Sequence, residues 1–200
     1  TTKKGYDGLD FNFRYNRTVE DYSYDLKPLN TVERGAVVWQ ASVNDGTNPN
    51  SASPLYTFDW NQDYENPELY SVILPAFTDP EGVQRPANTN WFNEVTRTST
   101  VQDMNFSVAG GNDVSTIYAS LGYFDAEGIV DGSQFSRMTF RVNSEHQIIE
   151  DKLKVGQTFL VTDQKANLIN DLAGQILGLS IEQQSIVPVY NDEGNWGGPV

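Results

Sequence analysis

The chain contains a single histidine, His146, beside Glu145, and no cysteine. A lone imidazole does proton or metal chemistry only with partners at hydrogen-bond or ligand spacing, and its neighbours in sequence supply none. Without cysteine, disulfides, thiolate nucleophiles and thiolate metal sites are excluded. No Gly-x-Ser-x-Gly, His-Glu-x-x-His or phosphate-loop pattern occurs. Asp125, Glu127 and Asp131 surround Gly128 and Gly132 in a loose likeness of a calcium loop. Their spacing departs from that of an EF-hand, and a simple hairpin connection accounts for them better. Gly110-Gly111 reads as a turn and not a phosphate cradle, because no helix follows it. With 27 Asp and Glu, carboxylate pairs arise by chance, so no glycosidase pair stands out. The residues predict no catalytic group, no metal site and no cofactor.

Aromatic residues carry more information: ten Tyr, ten Phe and four Trp make up 12% of a polar chain. Trp39, Tyr56, Trp60, Trp91 and Trp196 lie in segments that lack strand rhythm. Rings there can stack on sugar faces, pack against a partner protein, or fill a local core, and residue type alone leaves all three open. Charge narrows the partners. Against those acids stand 13 Lys and Arg, a formal net charge of -14, which repels phosphate backbones. No nucleic-acid partner is expected, nor electrostatic attraction to an anionic membrane surface.

The elements that must position these groups show a period of two. Leu9, Phe11, Phe13 and Tyr15 alternate with Asp10, Asn12, Arg14 and Asn16. A helix would scatter the rings, whereas a strand puts all four on one face. Met104, Phe106 and Val108 repeat the pattern up to Gly110-Gly111-Asn112-Asp113, a composition that tolerates positive φ in a tight turn. Ile117, Ala119, Leu121 and Tyr123 mark the next strand, about Thr116 to Phe124. Met138, Phe140 and Val142 oppose Arg137, Thr139, Arg141 and Asn143 in another. After Glu150-Asp151-Lys152, Leu153, Val155, Phe159 and Val161 mark the last, with Gln157 interrupting its apolar side. A bulge near Gly156, or a place near lipid headgroups, would explain that glutamine.

These strands read as an antiparallel meander of roughly nine to eleven residues each, long enough to cross a bilayer, where sandwich strands average about five or six. No run of about 18 apolar residues is present, so no transmembrane helix is predicted; alternating barrel strands need none. Residues 27–100 hold most of the prolines and read as a long elaborated loop, with a helix from about Thr31 to Asn44 capped by Thr31. Residues 166–185 read as a second helix, striped by Leu168, Leu172, Ile176 and Leu179.

In order and spacing these motifs resemble the SusC/RagA type of TonB-linked transporter. The stretch from Asn105-Phe106-Ser107-Val108-Ala109-Gly110-Gly111 through Tyr118-Ala119-Ser120-Leu121-Gly122-Tyr123-Phe124-Asp125-Ala126-Glu127-Gly128-Ile129-Val130 carries most of the likeness. It continues in Phe135-Ser136-Arg137-Met138-Thr139-Phe140-Arg141-Val142-Asn143 and ends at Lys152-Leu153-Lys154-Val155-Gly156. Thr1-Thr2-Lys3-Lys4-Gly5 resembles the end of the family's plug, and Ala87–Val95 the approach to an early barrel hairpin.

The resemblance implies an all-β fold: a meander forming part of a large transmembrane β-barrel, with short helices in long extracellular loops. It assigns residues 1–5 to the end of the plug and residues 6–200 to the N-terminal part of the barrel, with 27–100 and 163–200 as outer loops. It implies a whole protein several times longer. By the same likeness the cargo is a glycan or peptide, and a SusD-like surface lipoprotein is the partner. A TonB complex engages a missing N-terminal part, and the location is the bacterial outer membrane. The alternation would then turn Phe11, Phe13, Phe106, Val108, Met138 and Phe140 toward the lipid bilayer, and Arg14, Arg137, Arg141 and Asn143 toward a plugged lumen. Two other readings compete: a secreted carbohydrate-binding β-sandwich module, and a TonB-dependent receptor for a metal chelate or vitamin.

Overall fold

A computed structural model describes residues 8–23, 27–150, 152–169 and 173–198. The segments expected at the end of a plug, residues 1–5, lie outside the described residues, as do Asp151 and Leu172. The chain divides into two compact units, one within Thr1–Ser23 and Thr96–Ala173, the other within Tyr24–Val95 and Gly174–Val200.

The first unit is a single five-stranded antiparallel sheet. Its strands are β1 (Gly8–Glu20), β4 (Ser99–Gly111), β5 (Ser115–Glu127), β6 (Gln134–Ile149) and β7 (Leu153–Asn167), in the order β1-β4-β5-β6-β7. At about 3.3 Å per residue, the 13 residues of β4 or β5 span roughly 43 Å. Neighbours in sequence are neighbours in space, as short connections dictate. The β4–β5 and β6–β7 turns are short, while the connections after β1 and β5, at the other end, are longer.

Register shows what the alternation means in three dimensions. Directly paired residues share a face, and Phe13, Phe106, Leu121, Phe140 and Val161 follow one another across all five strands. The flanking rows run Phe11, Val108, Ala119, Val142, Phe159 and Tyr15, Met104, Tyr123, Met138, Asp163. Apart from Asp163, these side chains form an apolar belt that the described residues leave exposed: Phe13 is 68% exposed, Phe106 45% and Phe140 42%. Phe106 and Phe140 lie on the same face with Leu121 between them, so they do not meet across a two-layer core of the kind a sandwich requires.

Gln157 sits in register opposite Ser144 with no irregularity at Gly156; the one shift in β6–β7 falls between Gln147 and Ile149. The glutamine therefore keeps the belt's side of the sheet and lies toward the short-turn end, with His146 and Val155 one step beyond.

Several details differ from the sequence expectation. Gly110 and Gly111 belong to β4, and the turn is made by residues 112–114, where the Asn112 carboxamide accepts from the amides of Val114 and Ser115. Neither glycine has positive φ. Close approach demands them: a Cβ on Gly110 would lie 2.8 Å from the Gly8 carbonyl oxygen, and one on Gly111 would meet the Ser115 carbonyl. Strand β7 runs through residues 163–167, and the helix expected from 166 is the shorter α3, Ala173–Glu182. Its proposed stripe does not form, since Leu168 precedes the helix and Leu179 is exposed.

The second unit turns the expected long loops into a folded body. It comprises α1 (Thr31–Asn44), a 3-10 turn (Pro49–Ser51), a hairpin of β2 (Thr57–Trp60) and β3 (Leu69–Ile73), α2 (Trp91–Val95) and α3. Helix α1 has the expected bounds but a different cap. Asn30 accepts from the Glu33 amide and Glu33 reaches back to the Asn30 amide, both at 2.9 Å, a capping box. Thr31 is buried instead, and its hydroxyl donates to the Ala87 carbonyl at 2.6 Å. Residues 84–91 and 183–198 are stitched together: Ala87 and Thr89 donate to the carbonyls of Ile186 and Ser185, and Arg85 pairs with Asp192 at 2.8 Å.

Candidate functional site

The polar face of the large sheet gathers residues far apart in sequence. Arg14 of β1, Asp103 and Asn105 of β4, Tyr118 and Ser120 of β5, and Arg137, Thr139 and Arg141 of β6 line one hollow of about 320 Å³. Period-two geometry explains the gathering: each arginine alternates with an apolar residue of the belt and must point away from it. Arg14 lies 3.5 Å from Asp103, and the Arg137 guanidinium stacks over Phe124 at 5.7 Å. Three guanidinium groups against one carboxylate leave this hollow cationic in an acidic chain. Such a surface can hold an anionic segment or ligand through charge-assisted hydrogen bonds.

Asn143 shares the face but sits one step beyond the hollow. It is 8% exposed, and its side-chain oxygen and nitrogen have no hydrogen-bond partner among the described residues. Sequence reasoning found the arginines but missed Asp103, Asn105, Tyr118 and Ser120. Alternation marked their face; only the register shows that they surround one space.

Of the five aromatic candidates, three are packing residues. Trp39, Tyr56 and Trp60 are 6%, 3% and 7% exposed, and form a core with Val43, Leu55, Phe58, Ile186 and Val187. Trp39 meets Trp60 edge to face at 6.2 Å. Burial raises the Tyr56 hydroxyl above its ordinary pKa, opposed by the nearby Arg34 charge, and the hydroxyl has no hydrogen-bond partner among the described residues. Rings so enclosed have no free face for a ligand. Trp91 packs on the edge of this core, and its indole N–H donates to the Gln184 carbonyl at 3.0 Å.

Trp196 is the exception, at 73% exposure. It pairs with Tyr190, centroids 4.7 Å apart, across an isolated bridge between the two residues. The intervening turn is fixed by the Asn191 carboxamide, which accepts from the amides of Glu193 and Asn195, and by Gly194 at φ 81°. A rigid, exposed aromatic pair is suited to stacking against a flat apolar surface.

The remaining candidates have structural roles. His146 Nδ1 lies 2.6 Å from Ser115 Oγ, its register partner, and the described residues contain no cluster of ligands able to hold a metal. Asp131 pairs with Arg97 at 3.2 Å. The same guanidinium donates to the carbonyls of Gly128 and Ser133, so it ties the β5–β6 connection that the acids loosely marked as a calcium loop.

No family model matches the chain. Among curated proteins it is 32% identical over 134 residues to TonB-dependent receptor P26 of Formosa agariphila, covering 67% of this chain and 13% of that protein. It is 35% identical over 109 residues to TonB-dependent receptor SusC of Bacteroides thetaiotaomicron, covering 54% of this chain and 10% of that protein. The chain thus spans a small part of the length of these relatives. Among solved structures, it matches the RagAB peptide transporter at 19% identity and TM-score 0.55, over 83% of this chain and 19% of that one. It matches the RagAB importer in a closed-closed state at 20% identity and TM-score 0.57, over 98% and 23%. At such identities the likeness is one of fold: an antiparallel meander forming part of a large transmembrane β-barrel. In sequence and in fold, this chain groups with the SusC/RagA type of TonB-dependent receptor.

Proposed function

We propose that this chain is the N-terminal part of the barrel of an outer-membrane transporter that imports a bulky nutrient with energy relayed by TonB. The observation that carries this is the sheet's two-sidedness. An uncovered apolar belt crosses all five strands on one face, and three arginines share a hollow on the other. A contiguous exposed belt of this kind is one that soluble monomers rarely present to water. In lipid it is the required exterior, and the arginines belong to the lumen, since each would cost about 2–4 kcal/mol facing the midplane. The outer edges of β1 and β7 would be closed by further strands, because an open edge cannot be satisfied in hydrocarbon.

By analogy with SusC and RagAB, the cargo is a glycan or peptide, and a SusD-like lipoprotein is the surface partner. Tyr190 and Trp196, in the folded loop unit, are the contact residues we favour. No bond is made or broken, so no catalytic residue is required. Fractionation of the full-length protein tests the reading. It should enter outer membranes, require detergent for extraction and co-purify with a lipoprotein in equal amount. A freely soluble, monodisperse product would overturn it, and a barrel without a lipoprotein would favour a chelate or vitamin receptor.

A further inference from the structure

The folded loop unit contains a cleft of about 210 Å³, apart from the exposed Tyr190–Trp196 pair. Lys27 and Arg34 line it together with Thr89, Trp91, Gln183 and Ser185, and no carboxylate among the described residues does. That composition is unusual for a chain with 27 acids and 13 bases. Of the other six arginines, three are ion-paired, Arg14 with Asp103, Arg85 with Asp192 and Arg97 with Asp131, and Arg137 stacks over Phe124. Arg34 is half-buried on α1, and its guanidinium makes no ion pair or hydrogen bond among the described residues. Partial burial of an unpaired cation is unfavourable unless a counter-charge arrives.

The surrounding groups are held in place before any ligand binds. The Trp91 indole is fixed through Gln184, the Thr89 hydroxyl donates to the Val187 carbonyl, and the Ser185 hydroxyl meets that of Thr31. Main-chain donors on the adjoining strand-like segment are already used, Ala87 on Ile186 and Thr89 on Ser185. A peptide could not add along that edge as a strand. An aromatic ring with hydroxyl and amide groups instead suits the C–H face and hydroxyls of one sugar ring.

We infer that this cleft binds a single acidic sugar unit of the cargo, its carboxylate or sulfate between Lys27 and Arg34 and its ring near Trp91. The inference rests on the transport reading for its word cargo, but the binding itself does not. The test uses the full-length protein in detergent, with glucuronate, glucose 6-sulfate, glucose and dialanine as probes, followed by saturation-transfer NMR. At least one of the two acidic sugars should bind about 10-fold more tightly than glucose, and 0.5 M salt should weaken it. Arg34→Gln, which keeps a good helix former in α1, should lower that affinity about 10-fold without changing glucose binding. Equal binding of glucose, tighter binding of dialanine, failure of both acidic sugars, or indifference to Arg34→Gln would each overturn the assignment. Fractionation in parallel separates the two claims: a protein absent from the outer membrane sinks the transport reading whichever sugar binds.

Discussion

Leu121 is the most incisive place to perturb the sheet. It lies at the centre of the belt, paired with Phe106 on one side and Phe140 on the other, and is 42% exposed. Polar rows bound it in both directions along β5. One crosses Gln102, Asp125 and Ser136, the other Ser144 and Gln157 beside Ile117. Ile117 and Asp125 are about eight residues apart, or roughly 26 Å along the strand; a tilt near 40° reduces this to about 20 Å of depth. Leu121 is therefore close to the midplane of whatever the belt faces. If that is hydrocarbon, Leu121→Arg costs about 2–4 kcal/mol, while Gln102→Arg at the rim costs about 0–1 kcal/mol. If it is water, both changes stay within about 0.5 kcal/mol. Reversible guanidinium unfolding of the full-length protein in phospholipid vesicles measures the difference. A gap between the two variants below about 0.5 kcal/mol would refute the lipid-facing assignment.

Two further outcomes follow from the connections and the loop core. Arg97→Ala removes the Asp131 pair and two carbonyl contacts at the β5–β6 connection, from a side chain 34% exposed. The loss should be about 1–2 kcal/mol locally, seen as roughly 5- to 30-fold faster hydrogen exchange at Gly128 and Ser133, and unchanged exchange would show that the staple is idle. Tyr56→Phe removes a buried hydroxyl that has no partner among the described residues, so stability near neutral pH should change by less than about 1 kcal/mol. Because burial raises the folded-state pKa above the ordinary 10.0, the wild-type loop unit keeps this contribution below pH 10 and loses it as pH rises through the raised value. The phenylalanine variant should resist alkaline unfolding better, and coincident pH profiles would contradict the argument.

Which side of the sheet each residue takes was readable from the chain alone. In a strand successive side chains must point to opposite faces, so Phe11, Phe13 and Phe106 were separable from Arg14, Arg137 and Arg141 before any pairing was known. Helix α1 was equally visible, although its cap was not: Asn30 and Thr31 are both capping types, and only the extended backbone of Asn30, ψ 171°, distinguishes them. Strand ends were harder. Arg17, Asp163 and Lys165 break the alternation, yet β1 runs to Glu20 and β7 to Asn167 because neighbouring strands supply their hydrogen bonds.

Tertiary structure alone decided what the rings and the scattered polar residues do. Trp39 and Trp60 were indistinguishable by type from Trp196, but two are inside a core and one is exposed. That core needs Ile186 and Val187 to return beside residues more than a hundred positions earlier, a contact that no local pattern encodes. Asp103 joins Arg14 in one hollow for the same reason. A residue's face is a property of its own backbone, whereas its neighbours are set by the register and return path of other segments.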